Sequence, residues 1–327
     1  MDDGKREEGK RESHVGLSLA EVRGVLGRAR RRSVLRTVLV SVLSVLVLAA
    51  VAKVFDAMLL SRAANSLAPY VQAQLDVSQP DVYVGGVQWT WGLLGGQLQM
   101  QTFKMIGGVP IPWDTERYDF NIFGSISPWY GDYSPAPQIP TPNGMRLYDD
   151  QTEQRLMLFY DPHIRYAQRF HDLSQLSRIP PGDEVEIALS LNRDYTFAQV
   201  NAMLPRSVTP SWYWVDTYAR TRGRHANPEP WPEYLVYGFA RVPNAFEPSR
   251  TQTPAGFVQA LREGMHGPWQ GTYQQVYDAI AAGAGRVTAA DIRIIGVVVT
   301  GTPAQLRALE NRGFVRASTL GAVANPY

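Results

Sequence analysis

No cysteine occurs anywhere in the chain, which excludes disulfides, thiolate chemistry and any Cys/His zinc site. Histidine is scarce, five in 327 residues. His163 and His171 have Asp161 and Asp172 beside them, but the spacing matches no established ligand pattern, so no metal is expected. Neither sign of charge dominates: 32 Lys and Arg against 30 Asp and Glu leave a formal net of +2. The basic surplus sits beside one apolar run, so direct nucleic-acid binding is not expected. Catalytic motifs are missing too, with no G-x-S-x-G elbow, no H-E-x-x-H, no P-loop and no G-x-G-x-x-G after a strand. Asp183, Glu184 and Glu186 follow a turn and read as a solvated charge cluster. Asp216, beside Trp212 and Trp214, and His225 in a loop are the remaining polar groups of interest. Neither an enzyme nor a cofactor is indicated.

What is present is one long apolar run, from Val34 to Leu60. Its uncharged centre, 37–52, reaches about 24 Å as a helix, short of a ~30 Å hydrocarbon core. Arg36 and Lys53 close the gap by burying their stems and sending their heads to opposite interfaces. The run predicts one membrane-spanning helix over 34–60. Arg23, Arg28, Arg30, Arg31, Arg32 and Arg36 crowd its N-terminal flank, whereas little beyond Arg62 follows it. Positive charge stays inside, so the N-terminus is expected in the cytoplasm and residues from about Ser61 onward outside. Contact with anionic lipid adds a second use for the arginines. The rival is a signal peptide cleaved at Ala50-Val51-Ala52. The long leading segment, Lys53 and the apolar residues continuing to Leu60 oppose it.

Residues 1–33 read as a cytoplasmic tail ending in a short amphipathic helix. Ser18 and Glu21 make a capping box, Leu17 and Val22 a hydrophobic staple, and Leu19, Val22 and Leu26 one apolar face. Such a helix can lie on lipid or dock on a cytoplasmic partner. Beyond the span, a helical stalk runs from Ser61 to or past Pro69. A β-rich domain (61–126) follows, with DVYVGGVQWTW, QLQMQTFKMI and YDFNIFG as strands. Gly85-Gly86 and Gly95-Gly96 are its expected turns or bulges, and Trp89, Trp91, Phe103 and Trp113 its expected core. Residues 127–144 read as a stiff Pro-rich linker. The remainder, 145–327, opens with a strand, EQRLMLFYD, and a helix over HIRYAQRFHDLSQL with Ile164, Ala167, Phe170 and Leu173 on one face.

The second half carries an internal echo. Thr196-Phe-Ala-Gln199 and Thr302-Pro-Ala-Gln305 each follow a strand-like segment and precede another. Both supply a Thr N-cap and a Gln at the capping-box position. Thr253 to Gly264 and Gln270 to Gly283 read as inserted helices. The fold class is α+β: a single transmembrane helix, a β-rich segment, and a C-terminal domain with two βαβ-like units, ferredoxin-like in arrangement.

Several stretches resemble the sigma-factor-regulator family of transmembrane anti-sigma factors. The N-terminal ones are a basic flank, a single membrane helix, Gln79-Pro80-Asp81-Val82-Tyr83-Val84, Lys104-Met105-Ile106-Gly107-Gly108 and Ile111-Pro112-Trp113. The C-terminal ones are Thr196 to Pro205, Trp212 to Thr217, Gly296 to Gly301, and Arg316 to Ala322. The resemblance implies a single-pass regulator whose cytoplasmic arm holds an extracytoplasmic-function sigma factor inactive while the outer part reports on the envelope. It also implies a possible second small membrane protein as partner. Leu19, Val22 and Leu26 are the expected anchors on the sigma factor, with Arg23 and Arg30 facing acidic residues. The alternative is an extracytoplasmic ligand-binding or envelope-assembly module with a topology-only tail.

Overall fold

One helix, α1 (Leu19–Ser78), carries the apolar run. The computed structural model describes residues 19–128, 137–218, 228–241, 253–281 and 285–326, with side chains from Arg30 onward. The chain divides into two units, 1–58 and 59–327. In the first, the apolar side chains from Val34 to Phe55 are exposed, Leu39 at 70% and Leu48 at 68%. α1 is long and apolar enough to cross a membrane. An apolar surface with no protein cover is what a lipid-facing segment presents.

In the second unit, α1 runs on through Pro69 and is buried by a meander rather than standing free as a stalk. The strands are β1 (Val82–Trp91), β2 (Gly95–Ile106), β3 (Val109–Asn121) and β4 (Ile126–Pro128), hydrogen-bonded antiparallel in that order. Leu60, Ala63, Ala64, Leu67, Val71 and Leu75 form a stripe at helical spacing, all buried against Leu98, Met100, Tyr118 and Phe120 of the sheet. Gly85-Gly86 is a bulge, as expected. Gly95-Gly96 instead opens β2. Ile106 pairs with Val109, leaving Gly107 and Gly108 as a tight turn at φ +56° and +91°. That conformation is open to glycine and strained for other residues. Trp113 is core, Trp89 and Phe103 are half-buried, and Trp91 is exposed.

Part of the expected linker is structured: β5 (Gln138–Thr141) pairs with β6 (Gly144–Leu147). Residues 129–136 lie outside the described residues. The expected strand over EQRLMLFYD shrinks to β7 (Leu158–Phe159), and the expected helix over HIRYAQRFHDLSQL is absent, leaving a 3-10 turn at Asp172–Arg178. Local bonds account for this. Asp161 accepts from His163 N at 2.8 Å, and the hydroxyls of Tyr166 and Tyr160 accept from Asp161 N at 3.2 Å and Phe170 N at 3.3 Å. Backbone groups satisfied by side chains in this way do not need a helix. Burial then falls on Tyr166 and Phe170, while Ala167 is exposed.

The C-terminal domain contains β8 (Glu184–Tyr195), α2 (Phe197–Met203), β9 (Thr209–Val215), β10 (Trp231–Pro232), β11 (Gly238–Ala240), α3 (Pro254–Gly264), α4 (Gln270–Ala281), β12 (Ile294–Gly301), α5 (Pro303–Leu306) and β13 (Val315–Ala324). Its sheet order is β11-β9-β12-β8-β13, with every pairing antiparallel. β8 and β9 therefore run parallel with β12 between them, and β12 and β13 run parallel with β8 between them. These are two interlocked split βαβ units, the ferredoxin-like order, extended by β11. Both echoed segments form complete capping boxes, Thr196 with Gln199 and Thr302 with Gln305. The helices cover one face of the sheet, where Val200, Phe257, Leu261, Tyr273 and Leu306 meet Ile187, Leu189, Tyr213, Val297 and Val299. The other face, with Ala188, Trp212, Trp214 and Val298, lies against Met157, Phe159 and Val236.

Thr196→Ala removes one capping box and is expected to cost about 1 kcal/mol of stability, read as a lower urea midpoint. An unchanged midpoint would contradict the assigned cap.

Candidate functional site

The inward face of β2 carries Leu98, Met100, Thr102, Lys104 and Ile106, all buried, as period-two alternation requires. Lys104 thus sits where an apolar residue is expected, and its side chain is fully buried. Its ammonium donates to Glu186 Oε2 at 2.9 Å and Glu233 Oε1 at 2.7 Å, and lies 4.0 Å from the centre of the Trp113 ring. Glu186 projects from β8 on the same parity as Ala188 and Ser190, away from the helix face. Its Oε2 also accepts from Ala322 N at 3.2 Å. A side chain at Gly321 would crowd that oxygen, since a Cβ there would come within 2.5 Å. Glu233 follows β10, and its Oε2 accepts from Met157 N at 2.9 Å. One ammonium therefore ties the meander to two separated segments of the C-terminal domain.

Two carboxylates share this single cation away from water. Burial pushes Glu186 up to about 7 against the pull of Lys104, and does the same to Glu233. Burial opposes the Lys104 charge, but the paired carboxylates outweigh it and hold its pKa above the ordinary lysine value. Near neutral pH one proton decides whether the cluster is neutral or carries a net negative charge. The expected solvated cluster at 183–186 is therefore corrected: Asp183 and Glu186 are buried, Glu186 because Lys104 of the meander and Glu233 of the 3-10 turn at Glu233–Leu235 cover it.

A cleft of about 410 Å³ opens nearby, lined by Asp81, Tyr83, Gly107, Glu184, Ser211 and Gln305 among others. Asp81, buried at φ +57°, accepts from the Ser211 hydroxyl at 2.6 Å. Burial raises the Glu184 carboxyl pKa. Carboxylates, hydroxyls and glycine backbone suit a small polar ligand.

The residues expected to contact a sigma factor fall at the edge of the described structure. Leu19, Val22, Arg23 and Leu26 belong to the helical backbone of α1, with side chains outside the described residues; Arg30 is exposed. His225 also lies outside them. His163 sits 2.6 Å from Asp194, and with Asp216 the three offer ligand atoms within 4.8 Å of one another. Asp114, Asp149 and Asp150 form a second such group. Asp172 instead pairs with Arg146 at 2.7 Å.

An apolar helix followed by a meander clasped to a ferredoxin-like domain defines a membrane-anchored α+β protein. Residues 23–111 match the family described as sigma factor regulator N-terminal, and residues 176–322 match sigma factor regulator C-terminal. The chain belongs to the sigma factor regulator family. No curated protein and no solved structure gives a significant match. Lys104 lies in the first matched region and Glu186 and Glu233 in the second, so the buried cluster joins the two family domains.

Lys104→Met strands two buried carboxylates and is expected to cost about 3–5 kcal/mol, read by urea unfolding at about pH 8; a loss below about 1 kcal/mol would contradict the cluster's role. Glutamates with raised folded pKa values bind protons more tightly when folded. In the native protein their contribution is fully present below about 4.5 and is lost as pH rises to about 7. The unfolding midpoint should therefore fall across that window. A midpoint that rises across it would contradict the assignment.

Proposed function

We propose that this chain is a single-pass anti-sigma factor. Its N-terminal arm lies in the cytoplasm and sequesters an extracytoplasmic-function sigma factor. The unit from Leu59 onward lies outside and responds to envelope conditions. The observation that carries this reading is the pair of family matches, the first running from residue 23 through the apolar helix and into the meander. It includes Arg23, Leu26 and Arg30, three of the five residues assigned to the sigma contact. α1 is already helical at Leu19, which supports helix-in-groove docking by Leu19, Val22 and Leu26. The arginine-rich flank supports the orientation. A second small membrane protein is a further partner of the same regulator. Both matched descriptions name regulation, in keeping with a non-catalytic role.

A second reading, a ligand-binding envelope module, is favoured by the cleft at Asp81 and Ser211. Removal of residues 1–27 separates the two, since Arg28 to Arg36 remain to orient the helix. Sigma factor co-purifying with the detergent-extracted full chain is expected to be lost on that truncation. Leu26→Asp should lower recovery at least about tenfold, as expected for a lost buried leucine, with membrane insertion intact. Equal recovery from truncated and full-length protein would contradict the anti-sigma reading.

A further inference from the structure

Two neighbouring turns of the meander hold apolar side chains that folding leaves uncovered. Between β1 and β2, Leu93 is 76% and Leu94 51% exposed, and Trp91 just before them is 50% exposed. Between β3 and β4, Phe123 is 84% exposed. Ile122 N donates to Leu94 O at 3.1 Å, so the two turns form one tip. Asn121 Oδ1 organises the second turn, accepting from Phe123 N at 2.9 Å and Ser125 N at 3.2 Å. In the first turn Leu94 adopts φ +60°, where glycine or asparagine is ordinarily found. Single exposed apolar residues are ordinary, but a cluster at one tip marks an interaction surface.

The tip's surroundings identify the partner. Its base, Phe120 with Trp89 and Ile122, packs on Leu60, Ala63, Ala64 and Leu67. Leu60 closes the apolar run, so the tip sits beside the residue at which a membrane-spanning chain emerges. Trp91 stacks on Trp89 at 5.9 Å and meets Phe120 edge-on at 6.0 Å, which anchors the tip to that base. Tryptophan beside leucine and phenylalanine suits the layer between headgroups and acyl chains. The exposed Arg62, close by in sequence, suits lipid phosphate. We infer that Trp91, Leu93, Leu94 and Phe123 form a tip that inserts into the interfacial layer of the bilayer crossed by α1. This holds on whichever side the unit lies and requires no sigma factor. It rests on α1 spanning the membrane.

A chain without cysteine allows a clean test. Phe123→Cys and, as a control on β6, Met145→Cys (47% exposed) are introduced singly into the full chain. Each is reconstituted in phosphatidylcholine/phosphatidylglycerol nanodiscs, where both bilayer faces are open to solvent. The cysteine at 123 is expected to react about tenfold more slowly with a charged maleimide than that at 145, as burial at the headgroup boundary requires. A fluorophore at 123 is expected to be quenched by nitroxide-bearing lipid. Equal labelling rates would overturn the proposal. Slow labelling without lipid quenching would also overturn it, and pyrene excimer emission in that case would assign the tip to a second copy of the chain.

Discussion

The arrangement of this protein beyond the membrane helix depends on one buried ammonium. Lys104 reaches from the meander to Glu186 and Glu233, and its ammonium supplies the positive charge that both buried carboxylates share. A buried ion cluster is weak as a source of net stability but strict in what it permits, because removing any member leaves a charge uncompensated. It therefore acts chiefly on specificity. The meander seats on the C-terminal domain where Lys104, Trp113, Glu186 and Glu233 converge. Residues from Leu59 onward form one compact unit to which two family domains contribute, and Val82, Ile106 and Trp113 pack beside the cluster on Leu156, Ala322 and Ala324.

Around that constraint the rest is ordinary packing. The helix segment from Leu60 to Leu75 gives the meander a core it could not make alone, since an isolated four-stranded sheet buries only one face by pairing with something else. The ferredoxin-like sheet is closed on its helix face by aliphatic and aromatic contacts. On the other face, side chains of the sheet bond the covering segment directly. Thr319 both donates to Leu158 O at 2.8 Å and accepts from its N–H at 3.0 Å, and Ser190 accepts from Tyr160 N at 2.8 Å. That segment therefore lies along the sheet as nearly irregular chain, tied by side chains more than by ladder bonds. The chain enters this unit at the end of its apolar run, where the meander is also richest in uncovered apolar groups.

Much of this was legible in the sequence wherever local chemistry decides structure. The repeated Thr-x-x-Gln boxes marked two helices and, through them, the split βαβ order. The apolar run marked the membrane helix, and Gly85-Gly86 the bulge. The failures occurred where side-chain bonds to the backbone override spacing, and where long-range contact decides. Ile164, Ala167, Phe170 and Leu173 have helical spacing, yet Asp161, Tyr160 and Tyr166 capture the backbone of that segment first. Glu186 follows a turn and reads as solvated, because Lys104, which meets it, is 82 positions away in sequence. The Lys104 signal was nevertheless present: a lysine in phase with Leu98, Met100 and Ile106 on an alternating strand must face inward and needs an acid to meet it. The helix proposed to contact a sigma factor rests on a sequence pattern of caps and apolar anchors, and the surface of its proposed partner is not encoded in this sequence.

The central claim is that the two family domains fold as one unit around the buried cation. It is tested most directly by urea unfolding of the full chain at about pH 8, followed with one environment-sensitive probe on a cysteine placed in the meander and another placed in the ferredoxin-like domain. The account predicts that both probes report the same midpoint and slope. Two separate transitions, with the meander released first, would contradict it.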